Sequence, residues 1–337
     1  MNISIVILNW NGKKYLGTFL PKLIASSPEA NIYVADNGSS DGSVRFLQQN
    51  YPEIKVIPFT ENHGFAKGYN LALNQIEADY YILLNTDIEV TDNWIQPVIS
   101  VMEQDESIAA CQPKILSYDN RRHFEYAGAA GGFIDRYGYP FCRGRIFQVI
   151  EEDVGQYDDI TEIFWASGAC LFIKSNLFKK AGGFDNDFFA HMEEIDLCWR
   201  LKHLGYKIMY CGQSTVFHIG GGTLDKSAPK KTYLNIRNNN ILLYKNLPSK
   251  QIIPTFVARF FLDLTASLKF LIDGGVRHFI AVSRAHIGFY FSLRKNHLKR
   301  KKIKHIKVSK IYLGNIAFDH FLFGKKTFKQ LKSKMFT

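Results

Sequence analysis

Residues 80–90, YYILLNTDIEV, set an apolar run against a polar end: Asp87 follows it, with Asn85 two residues before and Glu89 two after. A run of this length, rich in aromatic and branched residues, predicts a strand covered on both faces. A carboxylate at the tip of such a strand must be neutralised or used. Ligands of open α/β sheets bind beyond the carboxyl ends of the strands, so an acid there points to a metal ion or a polar substrate.

Upstream, strand and helix signals alternate. Strands are predicted at 3–8, 31–36 and 54–59, and helices at 12–26, 39–50 and 66–76. Such alternation predicts an α/β fold, a mostly parallel central sheet flanked by helices. No G-x-G-x-x-G follows the first strand and no G-x-x-x-x-G-K-[ST] occurs, which removes the main support for dinucleotide-binding and P-loop readings. A second acid, Asp36 in VADNGSSDGS (34–43), ends the second strand, so two strand tips would present carboxylates to one crevice. Asp36 alone reads equally as a turn-forming residue. Asp41, in SSDGS, reads as a helix cap.

The 337 residues are 46% apolar and 22% charged, a globular composition. Five dispersed cysteines, none in a C-x-x-C pair, suit a reducing compartment and argue against a disulfide framework. The start MNISIVILNWNGKK lacks the basic head and long apolar stretch of a signal peptide, so a cytoplasmic chain is expected. The net charge of +11 is unevenly placed: residues 1–244 carry −6 and residues 245–337 carry +17. A boundary near NLPSKQ (246–251) divides the chain into 1–245 and a basic extension, 246–337.

Six stretches in order, SIVILNWNG, VADNGSSDGS, ENHGFAKGYN, LLNTDIEV, the long segment from ASGAC (166) to GYKI (208), and VFHIGGGT (216–223), resemble family-2 glycosyltransferases, with most likeness to the rhamnosyltransferase-like branch. The resemblance spans roughly residues 1–240. It implies a GT-A fold, a nucleotide-diphosphate sugar as donor, a divalent cation (Mg²⁺ or Mn²⁺) and inversion at the anomeric carbon. By the same resemblance Asp36 contacts the base, and Asn62, Gly64, Lys67 and Asn70 border the nucleoside; Lys230, Lys231 and Arg237 read, from their charge, either as neutralising phosphate or as a solvated helix face. Asp87 takes the last position of a D-x-D-type metal motif in which Asn85 replaces the first acid, and His218 matches a second ligand. One carboxylate suffices for a hard cation that also binds substrate phosphates and water. The glycines after His218 read as a loop able to close over a diphosphate.

A base must take the acceptor hydroxyl proton. FFAHMEEIDLCWRLKHLGY supplies Glu193, Glu194 and Asp196 at a helix start, where the helix dipole alone would favour acids. The resemblance puts the catalytic carboxylate at Glu194, where a Glu replaces the usual Asp. Asp196 and Arg200, four apart, read also as a helix pair. Trp165 reads either as a sugar-stacking residue or as core.

In the extension, apolar residues at 253, 256, 257, 260, 261, 264, 268 and 271 have helical spacing, interrupted by Arg259, Asp263 and Lys269. This is too polar to span a bilayer. Residues 294–310 hold nine Lys/Arg and no acid, which predicts peripheral association with an anionic membrane surface at the inner face of the cytoplasmic membrane, with no nucleic acid partner. The reading is an inverting, metal-dependent glycosyltransferase acting on a glycan or lipid-linked glycan in bacterial surface polysaccharide synthesis, its donor dTDP-rhamnose or a UDP-sugar. A nucleotidyltransferase and a catalytically inert sugar-nucleotide or membrane-binding partner are the alternatives.

Overall fold

The computed structural model describes residues 1–220, 228–273 and 275–337. The first half alternates β1 (Ile3–Asn9), α1 (Lys13–Ala25), β2 (Ala30–Asn37), α2 (Ser43–Asn50), β3 (Lys55–Phe59), α3 (Gly64–Leu73) and β4 (Tyr80–Leu84). Then follow β5 (Ile88–Val90), α4 (Ile95–Glu103), β6 (Ile108–Ser117), and the short strands β7 (Gly132–Asp135), β8 (Pro140–Cys142), β9 (Arg145–Ile146) and β10 (Val149–Ile150). β11 (Ile160–Ile163), β12 (Cys170–Lys174), α5 (Ser175–Lys180), α6 (Glu193–His203) and β13 (Lys207–His218) complete the main sheet and its cover. The chain ends in α7 (Pro229–Asn246), α8 (Ser249–Ile272), α9 (Val276–Arg300), β14 (Ile311–Tyr312) and α10 (Ile316–Phe321).

The main sheet runs β11-β13-β6-β12-β4-β1-β2-β3, with β5 paired to β13. β4, β1, β2 and β3 are mutually parallel, as are β6 and β13. β12, antiparallel to both β4 and β6, joins the two parallel groups. Alternation along each strand builds two cores. Ile3, Ile5 and Ile7 pack with Leu16, Leu20 and Leu23 of α1 on one face, while Val6 packs with Tyr69, Ala72 and Leu73 of α3 on the other. All five residues of β4 are buried, the two-sided burial that its composition predicts. Asp41 is not the helix cap expected of it: Gly42 is the N-cap of α2, with no side-chain cap bond, and Asp41 just before it accepts from the backbone N–H groups of Ser43 (3.0 Å) and Lys13 (2.8 Å).

A second sheet, β10-β9-β8-β7-β14, forms beside the first. Its last strand comes from the far end of the chain, and Tyr312, Ile316 and Leu331 share an apolar core with Phe133 and Phe141. The segments before and after residue 245 therefore share interior packing.

Helix α8 has the predicted spacing. Arg259 and Asp263, each 1% exposed, face the protein, where Asp263 meets Arg259 (2.9 Å) and His286 (3.1 Å). The apolar stripe faces outward, with Ile253 75% and Phe261 61% exposed. No described helix is long and apolar enough to cross a membrane.

Candidate active site

Asp87 lies in the turn between β4 and β5. Antiparallel pairing of β5 with β13 sets His218 opposite Ile88, one residue along, and so brings the imidazole to the carboxylate. His218 Nε2 is 3.2 Å from Asp87 Oδ1 and 3.4 Å from the Asn85 amide nitrogen. The Gly220 N–H donates to Asp87 Oδ2 (3.2 Å). Gly220 has φ +72°, and a Cβ there would fall 2.8 Å from Glu125 Oε1, so both conformation and space require glycine.

Behind the ring, Glu125 Oε1 is 3.5 Å from His218 Nδ1. Asp87, His218 and Glu125 are all buried. Burial works against protonation of His218, yet the Glu125 and Asp87 carboxylates outweigh it and push the imidazole up to about 10. An imidazolium then supplies the positive charge that two buried carboxylates require. The donor set also fits a divalent cation: a carboxylate oxygen and an imidazole nitrogen side by side, with the second ring nitrogen backed by a carboxylate, the arrangement that orients metal-ligating histidines. Among the described residues no group of three or more His, Cys, Asp or Glu is arranged to hold a metal unaided, so ligand phosphates and water would complete the coordination.

Glu194 is reached through the neighbouring loop. The Asn85 N–H donates to Ala169 O (3.0 Å), and a Cβ at Gly168 would sit 3.9 Å from Glu194 Cβ and 3.0 Å from the Phe65 ring. The chain enters α6 through two left-handed residues, His191 (φ 71°) and Met192 (φ 74°). Side chains rarely tolerate this conformation, and such strain persists where surroundings enforce it. Here Asn238 of α7 enforces it, donating to Ala190 O (2.9 Å) and His191 O (2.8 Å).

The three acids of α6 have different fates. Asp196 is fully buried and bound by Arg200 Nε (2.8 Å), Lys245 Nζ (2.9 Å) and Asn246 Nδ2 (2.9 Å), an ion network within the core. Glu193 and Glu194 each keep one buried oxygen without a partner. Burial, reinforced by Glu194, raises Glu193 well above the carboxylate range. Burial pushes Glu194 up to about 7, against backbone N–H groups of the first helical turn that favour its ionised form.

On the nucleotide side, Asp36 at the end of β2 accepts from Asn9 Nδ2 (2.8 Å) and Ser39 N (3.0 Å). Asn62 accepts from Asn37 Nδ2 (3.0 Å) and Gly64 N (2.8 Å), shaping the start of α3. Phe65 N donates to Phe189 O (2.8 Å), joining this loop to the approach to α6. Asn62, Gly64, Asn85, Asp87, His218, Glu193 and Glu194 thus belong to one connected region.

Other predicted residues are engaged elsewhere. Asn70 bonds Phe184 O (2.8 Å), Phe184 N (3.0 Å) and Asn186 (2.7 Å), and Arg237 bonds Asp187 O (2.8 Å), so both hold the 183–187 loop. Lys67 is exposed on α3. Trp165 is buried and donates to Phe133 O (2.9 Å), which makes it core. Of the proposed glycine lid, Gly221 and Gly222 lie outside the described residues. Sequence reasoning missed Glu125 and Asn238. Glu125 sits in a connection without periodicity, and its backbone bond to Ile115 (3.0 Å) on β6, beside the Leu116–Phe124 bridge, sets it behind His218.

Residues 4–169 match the model of "Glycosyl transferase family 2". The chain is 25% identical over 235 residues, 64% of its length and 75% of the relative's, to an N-acetylglucosaminyl-diphospho-decaprenol L-rhamnosyltransferase of Mycobacterium tuberculosis. It is 24% identical over 216 residues, 62% of its length and 80% of the relative's, to the rhamnosyltransferase WbbL of Escherichia coli. Among solved structures it is similar to GalNAc-T7 with UDP, GalNAc and Mn²⁺, at TM-score 0.59 and 16% identity, over 74% of this chain and 48% of that one. Residues 4–169 thus belong to glycosyltransferase family 2, the chain is similar to its rhamnosyltransferase-like members, and the fold is GT-A.

Proposed function

We propose that residues 1–245 transfer a sugar, with inversion, from a nucleotide-diphosphate donor such as dTDP-rhamnose or a UDP-sugar to a glycan or lipid-linked glycan in bacterial surface polysaccharide assembly. The observation that carries this reading is the contact path from Asp87 and His218 through Asn85 and Ala169 to Gly168 and Glu194, which sets a cation-compatible pair and an ionisable carboxylate on one region. Asp87 and His218 would hold a divalent cation, which neutralises charge on the departing diphosphate.

The remaining chemistry falls to the chain's own side chains. Glu194, with an unpartnered oxygen, takes the acceptor hydroxyl proton as the new C–O bond forms at the anomeric carbon and the bond to the diphosphate oxygen breaks. Burial and the neighbouring Glu194 favour the neutral form of Glu193, which disfavours a second negative charge beside the forming bond. Asp36, Asn62, Gly64 and Lys67 are assigned to the nucleoside side. Asn70 and Arg237 hold the 183–187 loop.

Residues 246–337 dock the enzyme on the inner face of the membrane. The outward stripe of helix α8 supports this: its apolar residues Ile253, Val257, Phe261, Leu264 and Leu268 face out in a segment of charge +16. Apolar faces flanked by basic residues associate with anionic interfaces. Nucleotide-diphosphate release, measured with Mg²⁺ or Mn²⁺ over a panel of sugar nucleotides and lipid-linked acceptors, tests the transferase reading. Release from no donor by a protein that still binds nucleotide would replace it with an inert sugar-nucleotide-binding partner.

A further inference from the structure

Away from the Asp87 region, a cavity of about 550 Å³ lies between the 181–187 loop, the C-terminal end of α6 and the residues around and beyond the end of α9. Pockets of a few hundred to about 1,000 Å³ are the usual size for small ligands. Seven cationic side chains line this one and only two carboxylates, Asp185 and Asp187.

Part of that charge is structural. Lys245 pairs with Asp185 (2.5 Å) and Asp196 (2.9 Å), Arg200 with Asp196 (2.8 Å), Lys295 with Asp187 (2.5 Å), and Lys299 with both loop aspartates. Four cations thus share three carboxylates. The excess is carried by Lys180, whose one hydrogen bond is to the Tyr206 hydroxyl (3.0 Å), and by Lys302 and Lys304, which have no side-chain partner among the described residues.

A bland account is that cations gather at a helix C-terminus to complement its dipole. That covers Lys299, in the last turn of α9, and Lys180, in the last turn of α5, but not Lys302 and Lys304 beyond the helix. A second is diffuse attraction to an anionic surface. Lys295, Lys299, Lys302 and Lys304 of the polybasic run instead line one concavity together with residues from over a hundred positions earlier. Like charges held in a cleft concentrate their field there and draw in counter-ions. Lysines act as point charges and suit phosphoryl oxygens of any orientation.

We infer that this cavity binds a phosphoryl group carrying two or more negative charges, either a lipid phosphomonoester headgroup or a soluble phosphate or diphosphate. The site is separate from the diphosphate position proposed near Asp87 and stands whether or not that reading holds.

The test is calorimetric titration of the full chain with inorganic pyrophosphate in excess chelator, which removes any cation-dependent binding at Asp87. Saturable binding is expected, weakened about tenfold or more in Lys302→Gln/Lys304→Gln, since loss of one charge-assisted contact is worth about that factor. Asp87→Asn and the control Lys329→Gln/Lys332→Gln should bind as the parent does. Displacement of pyrophosphate by phosphatidylcholine vesicles containing phosphatidic acid, and not by phosphatidylcholine alone, assigns the lipid source. Displacement by neither assigns the soluble one. Absence of saturable binding, or equal affinity in Lys302→Gln/Lys304→Gln, overturns the site.

Discussion

Replacing Glu194 by Gln removes the proposed base while keeping the side chain's size and its place at the start of α6. Burial lifts the Glu194 carboxyl from an ordinary 4.5 to about 7. That rise corresponds to about 3 kcal/mol of lost preference for the charged form. The group is then about half ionised at neutral pH and about one-tenth ionised a unit lower, so kcat should fall roughly tenfold per pH unit on the acid side. In Glu194→Gln that limb should vanish and kcat at pH 8 should drop by about 10²–10⁴, the usual contribution of a general base, with donor affinity little changed. Glu193→Gln should cost far less, because burial and the neighbouring Glu194 favour the neutral form of Glu193 and Gln preserves a neutral donor. The assay is initial-rate nucleotide-diphosphate release from pH 5.5 to about 9 at saturating donor and acceptor, with donor affinity measured separately. An acid limb that persists in Glu194→Gln refutes the reasoning. So does a dead Glu193→Gln beside an active Glu194→Gln.

Glu125→Gln should weaken the metal requirement's apparent affinity about 10- to 100-fold by removing the carboxylate behind His218, read from metal titrations of activity; an unchanged titration curve would detach Glu125 from the metal pair. Asp196→Asn should destabilise the fold by about 3–5 kcal/mol in denaturant, because Lys245 and Arg200 lose a buried partner. Asp196 and Asp185 are held below the ordinary 3.8 despite burial, by Lys245 with Arg200 and with Lys299 respectively. Their contribution is therefore full above that value and lost as pH falls, so wild-type stability should decline below about pH 4 and Asp196→Asn should lose part of the decline. Val257→Glu/Phe261→Glu, on the outward face of α8, should leave the denaturation midpoint within error yet abolish sedimentation with anionic vesicles; full retention would remove α8 from the docking surface.

Strands β1 and β4 were legible because both are buried on both faces, and burial of that kind is written in composition, while β3, with no fully buried residue, was legible from its branched and aromatic residues alone. The second sheet was not, because β7 to β10 have two to four residues each and show no period, and β14 arrives from more than 170 positions away. Asp87 and His218 were legible as strand-end residues, while their contact depends on the β5–β13 register. Glu125 had no local signal. Helix α8 was legible from its periodicity, and its stripe faces outward, the direction that an apolar face read as meeting an interface requires. Arg259 and Asp263 looked like interruptions and are instead the inward face, paired with each other and with His286.

The acids of α6 extend that point to the site. Glu193, Glu194 and Asp196 share one helical turn, and the dipole at a helix start favours negative charge for all three alike. What separates them is what reaches each carboxylate. Cations from two helices meet Asp196 and fix it as an ion. Around Glu194 the structure supplies Gly168 and the Phe65 ring, and the strained turn before it is held by the neutral amide of Asn238. A lysine or arginine in the place of Asn238 could also bond those carbonyls, but its charge would draw the Glu194 carboxyl back down and weaken it as a base. Holding the turn with an amide fixes the carboxylate's position without stabilising its charge, and a base that works near neutral pH requires both.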